Sequence, residues 1–206
     1  DVDSLEHFVK EKEIDGVFTQ YTDSYLPYCS KLASRLGYPF CASENQLDII
    51  SNKDKSKNIC IKHGIPVSQR YKLDSNFSQE DLDKVSYPVL TKPVDSSGQR
   101  GIVICNDEEE LKKGFLVSLN YSESKKVLVE KYLKGDYVVF CFTIQDGHLS
   151  LSAMADKPVV DEQYSNGLVR LPEGYILPSK YLDLYYEKLH EKFQALVNDL
   201  GLKNGS

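Results

Sequence analysis

The chain has 206 residues, enough for one or two domains with a real core. It is 41% hydrophobic and 27% charged, the composition of an ordinary globular protein, which sets disorder aside. Its net charge of −6 excludes the broad basic surface that a nucleic-acid backbone needs, although local basic groups can still hold a small anion.

The elements follow in chain order. Leu5, Phe8 and Val9 recur at helical spacing and predict a helix over 3–13, with Asp3 and Glu6 as a capping box. A short strand is expected at 16–19, then a helix over 24–36 stopped by Gly37, then a buried strand at 38–41. Strand, helix, strand is a parallel βαβ pattern. It opens on a helix with no strand before it, so a longer natural chain is expected. Two helices follow, 43–51 with Ser43 and Gln46 as caps, and 53–63 stopped by Gly64 and Pro66.

From there the grammar changes from α/β to α+β. Strand 69–73, helix 78–85, strands 88–92 and 102–105, and a helix over 107–119 capped by Asn106 and Glu109 come next. Strands at 127–130 and 137–145 lead through an Asp146–Gly147 turn into a return strand ending at Ala155. The segment 157–178 is poorly periodic and reads as a long loop, and 179–200 as one amphipathic helix.

The five cysteines are scattered singly, with no C-x-x-C pair and an odd count, so neither a disulfide framework nor a zinc site is indicated. Most sit among apolar residues and read as buried reduced thiols. No apolar run approaches a membrane span and DVDSLEHF is not a signal peptide; no membrane and a cytoplasmic setting are expected.

Three segments carry chemistry. YPVLTKPVDSSGQRGIVI, from Tyr87 to Ile104, is a strand ending in Lys92, a Ser/Gly loop and a second strand. Loop N–H groups can fold over phosphate oxygens, with Ser96, Ser97 and Arg100 as further donors and Lys92 as a point charge. A Ser-Gly loop is equally a common solvated turn. It is not a Walker loop, because no G-K-[ST] follows. VLVEKYLKGDYVVF puts Glu130 at a strand end, where it could accept from an exocyclic amine while Leu128, Tyr132 and Leu133 flank a flat base; a plain surface Glu is the alternative. Lys53 stands in the first turn of a helix, unfavourable to the dipole unless it meets an anion, although lysines on solvated helices are common.

In this order, N-K-D-K…G-I-P at 52–66, Y-P-V-x-x-K-P with S-S-G-x-x-G-I at 87–102, and V-E-K-Y-L-x-G at 129–135 resemble the ATP-grasp superfamily, which includes biotin carboxylase, the carbamoyl-phosphate synthase large subunit and D-alanine–D-alanine ligase. The preceding stretch, DGVFTQYTDSYLPYCSKLASRLGYPF, is similar to the region before the grasp, so the likeness covers nearly the whole chain.

The resemblance implies a partial pre-ATP-grasp α/β domain over 1–50 and an ATP-grasp domain over 51–206, with a lid subdomain at about 67–130 and an incomplete large subdomain. It implies Lys53 and Lys92 on the phosphates, Ser96, Ser97, Gly98, Arg100 and Gly101 in a lid loop, and Glu130 on the adenine amine. Backbone of Lys131 and Leu133 would meet the ring nitrogens. Where many members have a ribose-binding Glu this chain has Tyr137, with Asp136 beside it. Lys157 and Arg170 are candidate contacts for γ-phosphate or substrate, or else solvated loop charges.

The cofactors implied are ATP and Mg²⁺ (or Mn²⁺). No residue is assigned to the metal, whose ligands are expected beyond Ser206; Asp156 and Asp161 are the only local acids in reach. The activity implied is that of a carboxylate–amine or related ligase working through an acyl phosphate. Its partners would be an unassigned carboxylate and a nucleophile, with a homodimer one expected assembly. The competing expectation is a nucleotide-binding or structural domain without catalysis, and a dinucleotide oxidoreductase lacks its G-x-G-x-x-G.

Overall fold

The computed structural model describes residues 1–19, 23–164 and 167–205, the stretch 161–171 by its backbone only. Helix α1 (Val2–Glu11) starts earlier than its sequence suggests, because Asp1 rather than Asp3 accepts the first free amide, from Asp3 at 3.1 Å. Helix α2 (Leu26–Leu36) has proline in its first turn and ends on Gly37 at φ 71°, the left-handed position that glycine adopts without cost. Helix α3 (Glu44–Ser51) carries the expected Ser43–Gln46 capping box. In α4 (Lys53–Lys62) the Asn52 side chain accepts from the amides of Asp54 and Lys55.

The two strands expected at 16–19 and 38–41 do not form among the described residues. A short extended run gains little until a neighbour takes up its N–H and C=O groups, and Phe18 stands 80% exposed. The expected βαβ unit is therefore corrected to helices joined by extended connections. Burial of the cysteines is also corrected: Cys41 and Cys141 are exposed, Cys29 and Cys60 half-buried, and only Cys105 is buried, its thiol pushed up to about 12 by burial.

One antiparallel sheet organises the middle of the chain. Its strands are β1 (Arg70–Tyr71), β2 (Val89–Pro93), β3 (Val103–Cys105) and β4 (Val127–Lys131), in the order β1-β4-β2-β3. A short α5 (Gln79–Leu82) precedes β2, and α6 (Glu108–Tyr121) joins β3 to β4. The cap of α6 lies one residue later than the sequence suggests: Asp107 accepts from the Glu110 amide at 2.8 Å, and Glu110 reaches back to the Asn106 amide at 2.7 Å.

Alternation along the strands gives the sheet two faces of different character. Val89, Thr91 and Val129 look towards α6, in a core completed by Tyr71, Leu82, Cys105, Leu111 and Phe115. The Ser118 hydroxyl donates to the Gly101 carbonyl at 2.7 Å and can accept from the Thr91 hydroxyl at 2.9 Å, so both polar groups are satisfied inside that core. The other face carries Leu90, Lys92, Leu128 and Glu130. The register pairs Leu90 with Glu130 and Lys92 with Leu128, so the two charged residues sit on adjacent strands, offset diagonally.

Two hairpins follow. Strands β5 (Val138–Gln145) and β6 (His148–Asp156) turn at Asp146–Gly147 as expected. The segment read as a long loop instead contains a second hairpin, β7 (Val159–Tyr164) with β8 (Gly167–Pro172). Its sequence places β-branched and aromatic residues on both sides of Asn166–Gly167, a hairpin signal outweighed in the reading by the prolines at 158, 172 and 178.

The final helix is corrected to two, α7 (Leu182–Lys188) and α8 (His190–Leu200), parted at Leu189 (φ −126°) without a Gly or Pro to announce it. Phe140 and Phe142 of β5 pack with Tyr185 and Phe193 at centroid separations of 5.4–6.2 Å. The start of the chain is tied to its end: Gln46 donates to the Leu200 carbonyl at 2.7 Å, and Asp199 accepts from Lys62 and pairs with His63. These contacts hold α3 and α4 in place beside the polar face of the sheet.

Candidate functional site

Lys53 and Lys57 are four residues apart on α4, so both project from one side of the helix. That side meets the polar face of the sheet. Lys57 Nζ lies 2.7 Å from Glu130 Oε2, and Lys92 Nζ lies 3.0 Å from the same oxygen. The Ser68 hydroxyl donates to it at 2.8 Å and also accepts from Lys57 at 2.5 Å. The side chains of Lys57, Lys92 and Glu130 are 14%, 17% and 6% exposed, so this is an ion cluster largely removed from water.

Burial would raise the Glu130 carboxyl, but the Lys92 charge and the bonds from Lys57 and Ser68 outweigh it and hold the group below its usual range. The lysines carry the cost. Burial pushes the Lys57 ammonium below the usual lysine value despite its bond to Glu130, and burial together with the Lys92 charge lowers Lys53. Two ammonium groups contact the one carboxylate, and a third, Lys53, stands close enough for its charge to act with theirs. Asp95, whose charge also acts on Lys53 while its oxygens accept from the Ser122 hydroxyl and the amides of Glu123 and Ser124, offsets part of the excess and leaves three ammonium groups against two carboxylates. A half-dry cleft with surplus positive charge is a place for an anion.

The Ser/Gly loop leaves β2 directly above this cluster. Lys53 donates to the Ser96 carbonyl, and its amide bonds the Val94 carbonyl at 3.2 Å, so α4 and the loop touch at both levels. The loop is pinned at its two ends. Asp95 fixes the start, and the Gly101 carbonyl accepts from Ser118 at the finish, where a Cβ would come within 2.8 Å of Tyr121. Ser97, Gly98, Gln99 and Arg100 between them are exposed; Arg100 donates to the Ser97 carbonyl at 3.3 Å. Gly98 and Gln99 both hold positive φ, at 65° and 61°.

The remaining predicted residues fall elsewhere. Lys131 points to the opposite side of the sheet, donating to the Ser86 and Tyr87 carbonyls, and its amide is bonded to Gln69. The Leu133 side chain is 62% exposed. Asp136 is held by Lys180 and Tyr181, each at 2.6 Å, and those bonds lower its carboxyl. Lys157, half-buried, lines a cavity of about 500 Å³ with Tyr132, Gly135, Asp136, Asp156 and Lys180, just past the end of β4. The side chains of Arg170 and Asp161 lie outside the described residues.

A larger groove of about 1210 Å³ opens where β1 ends and leaves the edge of β4 uncovered, on the flank of α4 that carries Asp54, Lys55 and Asn58. The lysine cluster does not line it.

Lys57 and Ser68 belong to the cluster and were not singled out from the sequence. For Lys57 a signal existed, its place four residues beyond Lys53; for Ser68, which precedes β1, none did.

The described residues do not fit a divalent cation. No group of three or more His, Cys, Asp or Glu side chains gathers among them. The Asp156 carboxylate is engaged by the Ser179 hydroxyl at 2.5 Å and the Lys180 amide at 3.3 Å. Mg²⁺ asks for carboxylate oxygens in octahedral array, and lysines cannot supply them. Among the described residues no helix is long and apolar enough to cross a membrane.

Comparison with known proteins bears on the fold and the family. The carbamoyl phosphate synthase large chain, N-terminal section, of Methanopyrus kandleri is 25% identical over 158 residues, 75% of this chain and 27% of that protein. The 2-oxoglutarate carboxylase small subunit of Hydrogenobacter thermophilus is 26% identical over 114 residues, 54% of this chain and 23% of that one. The chain thus spans about a quarter of the length of these curated relatives. Among solved structures, the L-amino acid ligase of Bacillus licheniformis superposes with a TM-score of 0.72 at 21% identity, over 99% of this chain and 46% of that one. The biotin carboxylase domain of the Hydrogenobacter thermophilus 2-oxoglutarate carboxylase, solved with MgADP, gives 0.76 at 19% identity, over 98% and 46%. These likenesses establish a mixed α and β, ATP-grasp fold. The family model for the carbamoyl-phosphate synthase L chain, ATP binding domain, matches residues 52–203, and the chain belongs to that family.

Proposed function

We propose that this chain is the ATP-binding portion of an ATP-grasp ligase that activates a carboxylate as an acyl phosphate for attack by an amine or related nucleophile. Residues 1–50 would be a partial pre-grasp domain, and 51–206 the grasp domain with its lid at about 67–130. The observation that carries the reading is the gathering of three half-buried lysines, Lys57 and Lys92 on the Glu130 carboxylate and Lys53 on the Ser96 carbonyl, beneath a loop of exposed backbone. A polyphosphate supplies the negative charge that this arrangement lacks.

Lys92 comes from a strand packed on the core and reaches the phosphates as a fixed point charge. Lys53 exchanges the Ser96 carbonyl for a phosphate oxygen, which frees the loop to close with its N–H groups over the nucleotide. Closure excludes water, and in a drier site the lysines stabilise charge that builds on the transferring phosphoryl group. The base would lie near Glu130, with Tyr132 and Leu133 at its faces, and the sugar near Asp136 and Tyr137. Lys157 and Arg170 would serve the γ-phosphate or the acceptor. Mg²⁺ (or Mn²⁺), which would neutralise phosphate charge, finds no ligand set among the described residues. A cytoplasmic setting and a homodimer accompany this reading, the latter by analogy with the Hydrogenobacter thermophilus domain, which was solved as a dimer.

The test is trypsin cleavage at Arg100 with and without a non-hydrolysable ATP analogue. Protection of that bond at saturating analogue supports the reading, and equal cleavage in both samples rejects it.

A further inference from the structure

Glu130 has one oxygen crowded and one idle. Its Oε2 takes Lys57, Lys92 and Ser68, while Oε1 is buried without a hydrogen-bond partner among the described residues, on a residue 4% exposed. A buried carboxylate oxygen without a donor is costly and rare. Its retention suggests that a donor arrives with a ligand.

Lys92 has two claims on it. It now bonds Glu130, and in the nucleotide-bound protein it would be drawn to phosphate. If it were the only cation on Glu130, its departure would leave a buried carboxylate uncompensated, free to protonate or to swing. Lys57 is placed to prevent both: it holds the same oxygen at 2.7 Å from the opposite side of the cleft, on α4 rather than on the sheet. Ser68 braces the pair by bonding both partners.

We propose that Lys57 is a positioning residue for base selection: with Ser68 it keeps Oε2 of Glu130 occupied after Lys92 turns to phosphate, leaving Oε1 as an acceptor for the amine of a 6-aminopurine. This rests on the nucleotide-binding reading above. A 6-oxopurine presents an acceptor at that position and meets an acceptor in return. The prediction is thus about preference between bases, which a residue needed only for folding would not control.

The experiment titrates the whole chain, as wild type, Lys57→Met, Lys57→Arg and Ser68→Ala, with ATP and with GTP, each variant first checked by its melting transition. Wild type should prefer ATP. Lys57→Met should lose roughly tenfold in ATP affinity, the scale of one charge-assisted bond, and most of its preference. Lys57→Arg should restore the preference, and Ser68→Ala, which keeps every charge, should lower the ATP to GTP ratio less but in the same direction. If folded Lys57→Met or Ser68→Ala keeps the wild-type ratio, the role given to Lys57 is wrong. If wild type binds neither nucleotide, the underlying site is wrong as well, and the two failures are told apart by that control.

Discussion

Replacing Glu130 with Gln keeps its shape and its bond to Ser68 but removes the charge that lies between Lys57 and Lys92. Two ammonium groups, 14% and 17% exposed, would then face each other without a counter-ion. Removing one member of a buried ion cluster costs about 3–5 kcal/mol. The lower end applies here, because the lysines keep some contact with water and their flexible stems can turn outward. For a chain of this length, about 3 kcal/mol corresponds to a fall in melting temperature of roughly 6–12 °C.

The pH dependence separates this cause from a packing defect. The Glu130 carboxyl is held below its unfolded value, so its contribution is present above the unfolded carboxylate range and is lost as pH falls through the lowered folded value. The gap between wild type and Glu130→Gln should therefore be widest near neutrality and narrow in acid. Differential scanning calorimetry from pH 7 down to about pH 3 reads it against the reference carboxylate values. A variant as stable as wild type, or a gap that does not change with pH, would refute the description of Glu130 as the charge that holds the cluster together.

Other consequences are simpler to state. Gly114→Ala should destabilise the protein by about 1–3 kcal/mol although alanine favours helix, because the added methyl would come within 2.8 Å of the Cys105 sulfur and 3.1 Å of Thr91 Oγ1; a denaturant midpoint at or above wild type would contradict that. Asp95→Ala removes the acceptor for Ser122, Glu123 and Ser124, so trypsin should cut at Arg100 several-fold faster in the nucleotide-free protein; an unchanged rate would show that the loop is anchored by other contacts. Leu111→Ala, at a side chain with no exposure beneath the sheet, should cost about 2–5 kcal/mol by urea unfolding while leaving the polar face intact; a loss under 1 kcal/mol would mean that α6 is not the core's main cover.

What the sequence disclosed depended on how local the cause was. The Ser43–Gln46 box, the Gly37 stop and the Asp146–Gly147 turn are written in three or four neighbouring residues, and all appear. The strands of the four-stranded sheet were legible to within two residues, because alternation and β-branching mark them directly. The missing strands at 16–19 and 38–41 show the limit: a strand is a relation between segments, and apolar content alone does not supply a partner. The hairpin at 159–172 was missed for the opposite reason, since prolines around it masked a paired Asn-Gly signal.

In the cluster, Lys92 and Glu130 were singled out in the sequence because each stands near a strand end beside a recognisable loop. Lys57 and Ser68 were not, because their importance comes from β2, β4 and α4 meeting in space. The idle oxygen of Glu130 is likewise a product of packing, and no spacing in the sequence announces it.

The central claim is that Lys53 and Lys92 form an anion site for the phosphates of ATP beside the Lys57–Glu130 pair. Calorimetric titration of the chain with ATP, for wild type, Lys92→Ala and Lys53→Ala, tests it most directly. The account predicts saturable binding to wild type, a loss of at least about tenfold for Lys92→Ala, and a smaller loss for Lys53→Ala, whose charge sits on a helix start. Wild type that shows no saturable binding, or a folded Lys92→Ala that binds ATP as wild type does, would contradict it.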